Sequence, residues 1–193
     1  MRTPIRHLAP LLPHAGNMIL LDEITTYSDT HLQGLARIGP DHLFLDEQQQ
    51  LPMWCGIEIM AQAVAAFAGC QAHDAGLPVK LGFLLGSREV TILRASVPAG
   101  SVLRVQVEAS TRDEATGFGV FDCSLALLEK GEAGSGTAGD ATTSTRTASA
   151  GATDAGTARG KTADRDNATP VATARLSVFS PPDIDHYLQE QAV

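Results

Sequence analysis

Residues 54–69 read WCGIEIMAQAVAAFAG. Glu58 and Gln62 are the two strongly polar side chains in it; the rest are small or apolar. Four residues apart, they share one face of a helix, one turn from each other. An ionised carboxylate in an apolar segment is costly unless it is paired, hydrated or used. Pro52 stands where a helix begins, and Gly76 and Pro78 where one ends, so the pattern predicts one long helix over about 54–75. A helix that is apolar nearly all round is expected in a core, which makes Glu58 and Gln62 hard to dismiss as surface residues.

Strands are expected on both sides of this helix. Met18–Thr25 and Leu32–Ile38 precede it, after which 40–51 reads as a polar loop. Lys80–Leu85, Glu89–Leu93, Ser101–Ser110 and Phe118–Glu129 follow, broken at Pro98–Gly100 and Asp113–Gly117. A last strand over 171–179 shows strict alternation. Two strands, a long apolar helix and then a run of strands predict an α+β fold, an antiparallel sheet wrapped around one central helix.

Residues 131–170 break the pattern. Of these forty, 29 are Ala, Thr, Gly or Ser, and none is Leu, Ile, Val, Met or aromatic. Such a segment cannot bury enough apolar area to offset its ordering entropy. It reads as a flexible insertion at the tip of a hairpin within one domain spanning 1–193, because strand-like sequence flanks it on both sides.

Composition narrows the function classes. A net charge of −8 argues against general nucleic-acid binding. The N-terminus lacks the apolar core of a signal peptide, and no apolar run is expected to reach the roughly 18 residues of a membrane span, so a cytoplasmic protein is expected. Cys55, Cys70 and Cys123 are odd in number and scattered, which favours three reduced thiols over a disulfide framework or a zinc site. No histidine spacing suggests a metal, and His7, His31, His73 and His186 read as surface residues.

Four stretches, in order, carry a resemblance: LPHAGNMILLDEIT (12–25), GIEIMAQAVA (56–65), LGFLLGSREVTILRASVPAGSVLRVQVE (81–108) and FGVFDCSLALL (118–128). Together they resemble the hotdog-fold β-hydroxyacyl-(acyl carrier protein) dehydratases, and most closely the dehydratase-like subunit encoded with aryl-polyene pigment synthesis. The resemblance covers about residues 10–130 and 171–179. It implies a hotdog fold, no cofactor, and a site shared between subunits of a homo-oligomer or of a heteromer with a related hotdog protein. It also implies elimination of water from a 3-hydroxyacyl thioester of acyl carrier protein or coenzyme A.

The resemblance places Glu58 on the catalytic carboxylate and Gln62 on the glutamine one turn later. It also exposes a departure. The resembling enzymes carry a histidine fourteen residues before the carboxylate, and that position here is Phe44. His42 lies two residues away, and His14 sits in the LPH segment; either is a candidate replacement. The glycine whose N–H would meet the thioester carbonyl is replaced by Met53, with Gly56 nearby at the helix start. Met53, Gly56 and Phe44 are therefore the candidate substrate-binding positions. Arg88, Arg94 and Arg104 are either contacts for an acidic carrier protein or solvated strand residues.

Dehydration needs a base for the proton next to the carbonyl, an acid for the departing hydroxyl, and donors for the carbonyl oxygen. Missing half of the expected pair leaves alternatives. One is a subunit completed by a histidine-bearing partner. Another is an acyl thioesterase or acyl-binding protein of the same fold. MAQ after the glutamate favours dehydratase ancestry.

Overall fold

The computed structural model describes residues 1–128, 168–181, 184 and 187. The expected insertion lies outside the described residues except for 168–170, as do Glu129 and His186.

Eight strands and one α-helix make up the described fold: β1 Glu23–Tyr27, β2 His31–Arg37, β3 Gln50–Pro52, α1 Gly56–Asp74, β4 Phe83–Ile92, β5 Ser96–Pro98, β6 Val102–Asp113, β7 Phe118–Leu128 and β8 Ala168–Phe179. Six strands form an antiparallel sheet in the order β1-β2-β6-β7-β8-β4, and β3 pairs with β5 separately. Alternation decides the faces. In β6, Leu103, Val105 and Val107 are buried while Arg104, Gln106 and Glu108 point away. The buried face wraps α1, whose Ile59, Met60, Ala63, Ala66, Phe67 and Cys70 are fully buried.

The ends of α1 are built as the sequence implies. Pro52 is the N-cap of a single 3-10 turn, Met53–Cys55, that runs into the helix. At the other end Gly76 takes φ +68°, and the Gly76 and Leu77 N–H groups return to the His73 and Ala72 carbonyls. This is a Schellman closure, which only a residue tolerant of positive φ terminates cheaply. Gly69 serves packing. A Cβ there would stand 2.1 Å from the Leu11 carbonyl oxygen, so the 3-10 turn Ala9–Leu11 lies directly on the helix backbone.

Several expectations are corrected. With its leading turn, the helix Met53–Asp74 is 22 residues long, long and apolar enough by length and composition to cross a membrane, yet most of it is buried inside the protein. The first strand is Glu23–Tyr27, not Met18–Thr25, because Gly16–Met18 forms a 3-10 turn and the backbone at 18 and 20 bonds to a side chain. The expected strands 80–85 and 89–93 are one strand, β4, with register irregularities between Leu84 and Gly86 and between Ser87 and Glu89. β3 and β5 were not expected. β8 starts at Ala168, three residues earlier than the alternation suggests. Pro170 fits there because β4 pairs only as far as Ala172, and no ladder bond is asked of its missing N–H on that side.

Candidate active site

Glu58 lies in the first turn of α1, where the helix macrodipole favours negative charge. Its carboxylate is 37% exposed on a face of α1 that the described residues leave uncovered, together with Ala61, Ala65 and Ala68. Trp54, one turn earlier, is 62% exposed.

Gln62 is fully buried and its amide is committed. Its Oε1 accepts the Leu20 N–H at 2.8 Å. Its Nε2 donates to the Met18 carbonyl at 2.7 Å and to Glu58 Oε1 at 2.9 Å. The segment carrying the LPH motif is thereby stapled to the helix, and this brings His14 to the site: His14 Nε2 stands 3.5 Å from the same Glu58 Oε1. The His14 Nδ1 is buried without a hydrogen-bond partner. Glu58 Oε2 has no partner among the described residues.

His42 is elsewhere. Its Nδ1 accepts the Phe44 N–H at 3.3 Å, its ring lies 6.1 Å from that of Phe44, and its Nε2 is buried without a partner. Burial pushes its imidazole below the usual histidine range, against the opposing field of Asp22. No hydrogen bond or ion pair joins His42 to Glu58 among the described residues, and bonds from the His42 N–H to the Gly39 carbonyl and from the Leu45 N–H to the His42 carbonyl hold its loop. A separate cleft of about 250 Å³ is lined by His42, Arg37, Asp22 and Asn17.

The three expected substrate-binding positions are occupied by structural tasks. Met53 is fully buried and its N–H bonds to the Ala95 carbonyl at 2.8 Å. The Gly56 N–H closes the 3-10 turn on the Met53 and Trp54 carbonyls, and a Cβ at Gly56 would meet Leu125 Cδ1 at 2.7 Å. Phe44 packs half-buried against the core. Each is near the helix entrance, yet none offers a free donor in this arrangement. The Met18 and Leu20 backbone, part of the site's frame, carries no signal of its own in the sequence.

The cysteines are buried, and burial raises all three thiols, Cys70 to about 11 and Cys123 to about 12. They are poor nucleophiles in the fold. The arrangement therefore offers one partly exposed carboxylate with one oxygen held and the other open, on an uncovered apolar face.

β4 is the other incomplete feature. It ends the sheet, and Leu84, Leu85, Val90 and Ile92 are each more than 40% exposed. An edge of this length and apolarity, unpaired among the described residues, is a template for another chain.

A family model described as ApeP dehydratase, of the ApeP-like type, matches residues 6–150. Among solved structures, the chain is similar to the dehydratase heterocomplex ApeI:P from Xenorhabdus doucetiae, at 24% identity and a TM-score of 0.70, covering 98% of this chain and 97% of that one. It is also similar to a thioesterase protein from Streptococcus pneumoniae solved with coenzyme A, at 13% identity and TM-score 0.49, covering 82% and 84%. The PaaI protein of E. coli is similar at 12% identity and TM-score 0.47, covering 81% and 80%. No curated protein matches significantly. The fold is the hotdog fold, a six-stranded antiparallel sheet around one long helix.

Proposed function

We propose that this chain, which belongs to the ApeP-like dehydratase family, supplies the acid–base carboxylate of a 3-hydroxyacyl thioester dehydratase and works beside a second hotdog subunit. The observation that carries this is Glu58: Oε1 is tied to Gln62, while Oε2 has no partner among the described residues and the side chain is 37% exposed.

In this reading Glu58 takes the proton from C2 of the thioester, and the enolate charge develops near the N-terminus of α1. The C3–O bond then breaks, the C2–C3 double bond forms, and the hydroxyl leaves as water with a proton from the facing subunit. Position 44, a phenylalanine here, supplies no such proton. The open edge β4 is where the second subunit would join and close the acyl groove. The ApeI:P heterocomplex, with the same fold, is a precedent for two different chains. We assign the thioester to acyl carrier protein or coenzyme A, with no cofactor, in the cytoplasm.

The test is hydration of trans-2-octenoyl-pantetheine by the full chain alone and mixed with a histidine-bearing hotdog partner. Glu58→Gln keeps the shape and removes the charge, and should cost at least about 100-fold in rate with the fold intact. Turnover in neither assay, or turnover indifferent to Glu58→Gln, overturns the assignment.

A further inference from the structure

We propose that the two oxygens of Glu58 have different duties and that His14 is the positioning residue that enforces the difference. The inference rests on the acid–base assignment of Glu58 and concerns how the carboxylate is held. Two nitrogens at the site approach the same atom: Gln62 Nε2 donates to Oε1 at 2.9 Å, and His14 Nε2 stands 3.5 Å from it, within ion-pair range. Oε2 is left as the base.

Neither donor can change roles at low cost. The Gln62 amide cannot flip, because its oxygen already accepts the Leu20 N–H and its nitrogen donates to the Met18 carbonyl. The His14 tautomer is fixed in the same way. A hydrogen on Nδ1 would be a buried N–H without an acceptor, so the neutral ring carries its hydrogen on Nε2, facing a carboxylate that can only accept.

A single donor leaves the terminal torsion of a glutamate soft and roughly two-fold. A second donor on the same oxygen removes that freedom. At 3.5 Å the His14 contact is long, as contacts in unliganded sites commonly are, and the clamp requires it to shorten when the groove is filled. Glu58, Gln62 and His14 all belong to one chain, so the carboxylate is oriented before any partner binds. The second subunit then contributes the groove wall and the proton for the hydroxyl, and it does not position the base.

A clamp and a proton shuttle respond differently to substitution. Glutamine places an N–H near the reach of Nε2 but cannot relay a proton; phenylalanine keeps the ring and has no N–H. A clamp predicts that His14→Gln in the full chain, assayed with its partner, stays within about 3-fold of the parent. It predicts that His14→Phe loses about 10-fold or more in kcat with little change in KM, the mark of a misaimed reacting group. His14→Gln as poor as His14→Phe, or His14→Phe as active as the parent, overturns the clamp.

A second readout needs no turnover. Two-bond nitrogen–proton correlation of the imidazoles should show His14 as the Nε2–H tautomer, with its signals displaced in Glu58→Gln. The Nδ1–H form, or signals indifferent to Glu58→Gln, overturns the clamp even where the acid–base role of Glu58 survives. Loss of the acid–base role alone leaves this tautomer result standing.

Discussion

Leu20 and Gln62 are 42 residues apart, and the Leu20 backbone N–H ends on the Gln62 side-chain oxygen at 2.8 Å. A side chain in the core helix does what a neighbouring strand does elsewhere in this fold. Gln62→Leu leaves the Leu20 N–H and the Met18 carbonyl without partners, at roughly 1–3 kcal/mol for each buried group. The denaturation midpoint should fall accordingly, whereas Glu58→Gln should leave it nearly unchanged. A silent Gln62→Leu would mean that water replaces the amide.

Two glycines in α1 should respond unequally to alanine. At Gly56 the added methyl meets the movable end of Leu125 at 2.7 Å; at Gly69 it meets the Leu11 backbone at 2.1 Å. The helix propensity gain of about 1 kcal/mol offsets the first. The second forces the Ala9–Leu11 turn off the helix, with a loss of about 2–3 kcal/mol expected for overpacking of this kind. Thermal melts of Gly56→Ala and Gly69→Ala check the order.

The thiols give a pH dependence. In the unfolded chain each ionises near 9.0, while in the fold Cys70 is raised to about 11 and Cys123 to about 12. Between these values the unfolded state binds fewer protons than the native state, so stability falls as pH rises from about 9 and this contribution is intact below it. Melting temperatures from pH 8 to 10 should decline, and the Cys70→Ala/Cys123→Ala double variant should decline less steeply. Equal slopes would assign the loss to other groups.

β7 and β8 pair from Phe118↔Phe179 to Leu128↔Ala168, so the residues bordering 129–167 face each other across a ladder. Antiparallel partners of this kind lie about 5 Å apart and a two-residue turn joins them. Replacing 129–167 by Asn-Gly should give a soluble protein with a melting temperature within a few degrees of the parent. A drop of ten degrees or more would show that the removed residues pack against the domain.

Assembly through β4 predicts that charge on its exposed apolar residues blocks association. Val90→Lys and Ile92→Lys alter positions that are 42% and 45% exposed, so the isolated fold should tolerate them. Light scattering should show loss of the oligomer, homomeric or mixed. An unchanged mass would move the interface to another face.

The helix was legible because its apolar pattern, Pro52 and Gly76 agree, and β2, β6 and β7 because one face of each is buried. β4 was not. Both its faces are exposed for most of its length, so no alternation is imposed, and its register irregularities read as a break. At the site, Glu58 and Gln62 stood out by spacing along one helix. That His14 stands beside Glu58 within this chain while His42 does not was invisible, because it depends on Gln62 holding a backbone segment 42 to 44 residues away, and no local pattern encodes that.

β8 is the last of the described strands but lies between β7 and β4. During synthesis, β4 emerges long before β8, the described strand it pairs with in the sheet. Until Ala168–Phe179 has been made, the free sides of β4 and β7 are both open. Residues 129–167 lengthen that interval by about 2–8 s at the usual elongation rate of about 5–20 residues per second. Ribosome-bound chains therefore pass through a stage in which both edges of β4, and not its outer edge alone, are offered to any neighbouring strand. A nascent chain stalled anywhere in 129–167 would be a client for chaperones, while the finished chain, with β8 in place, keeps only the outer edge of β4 open.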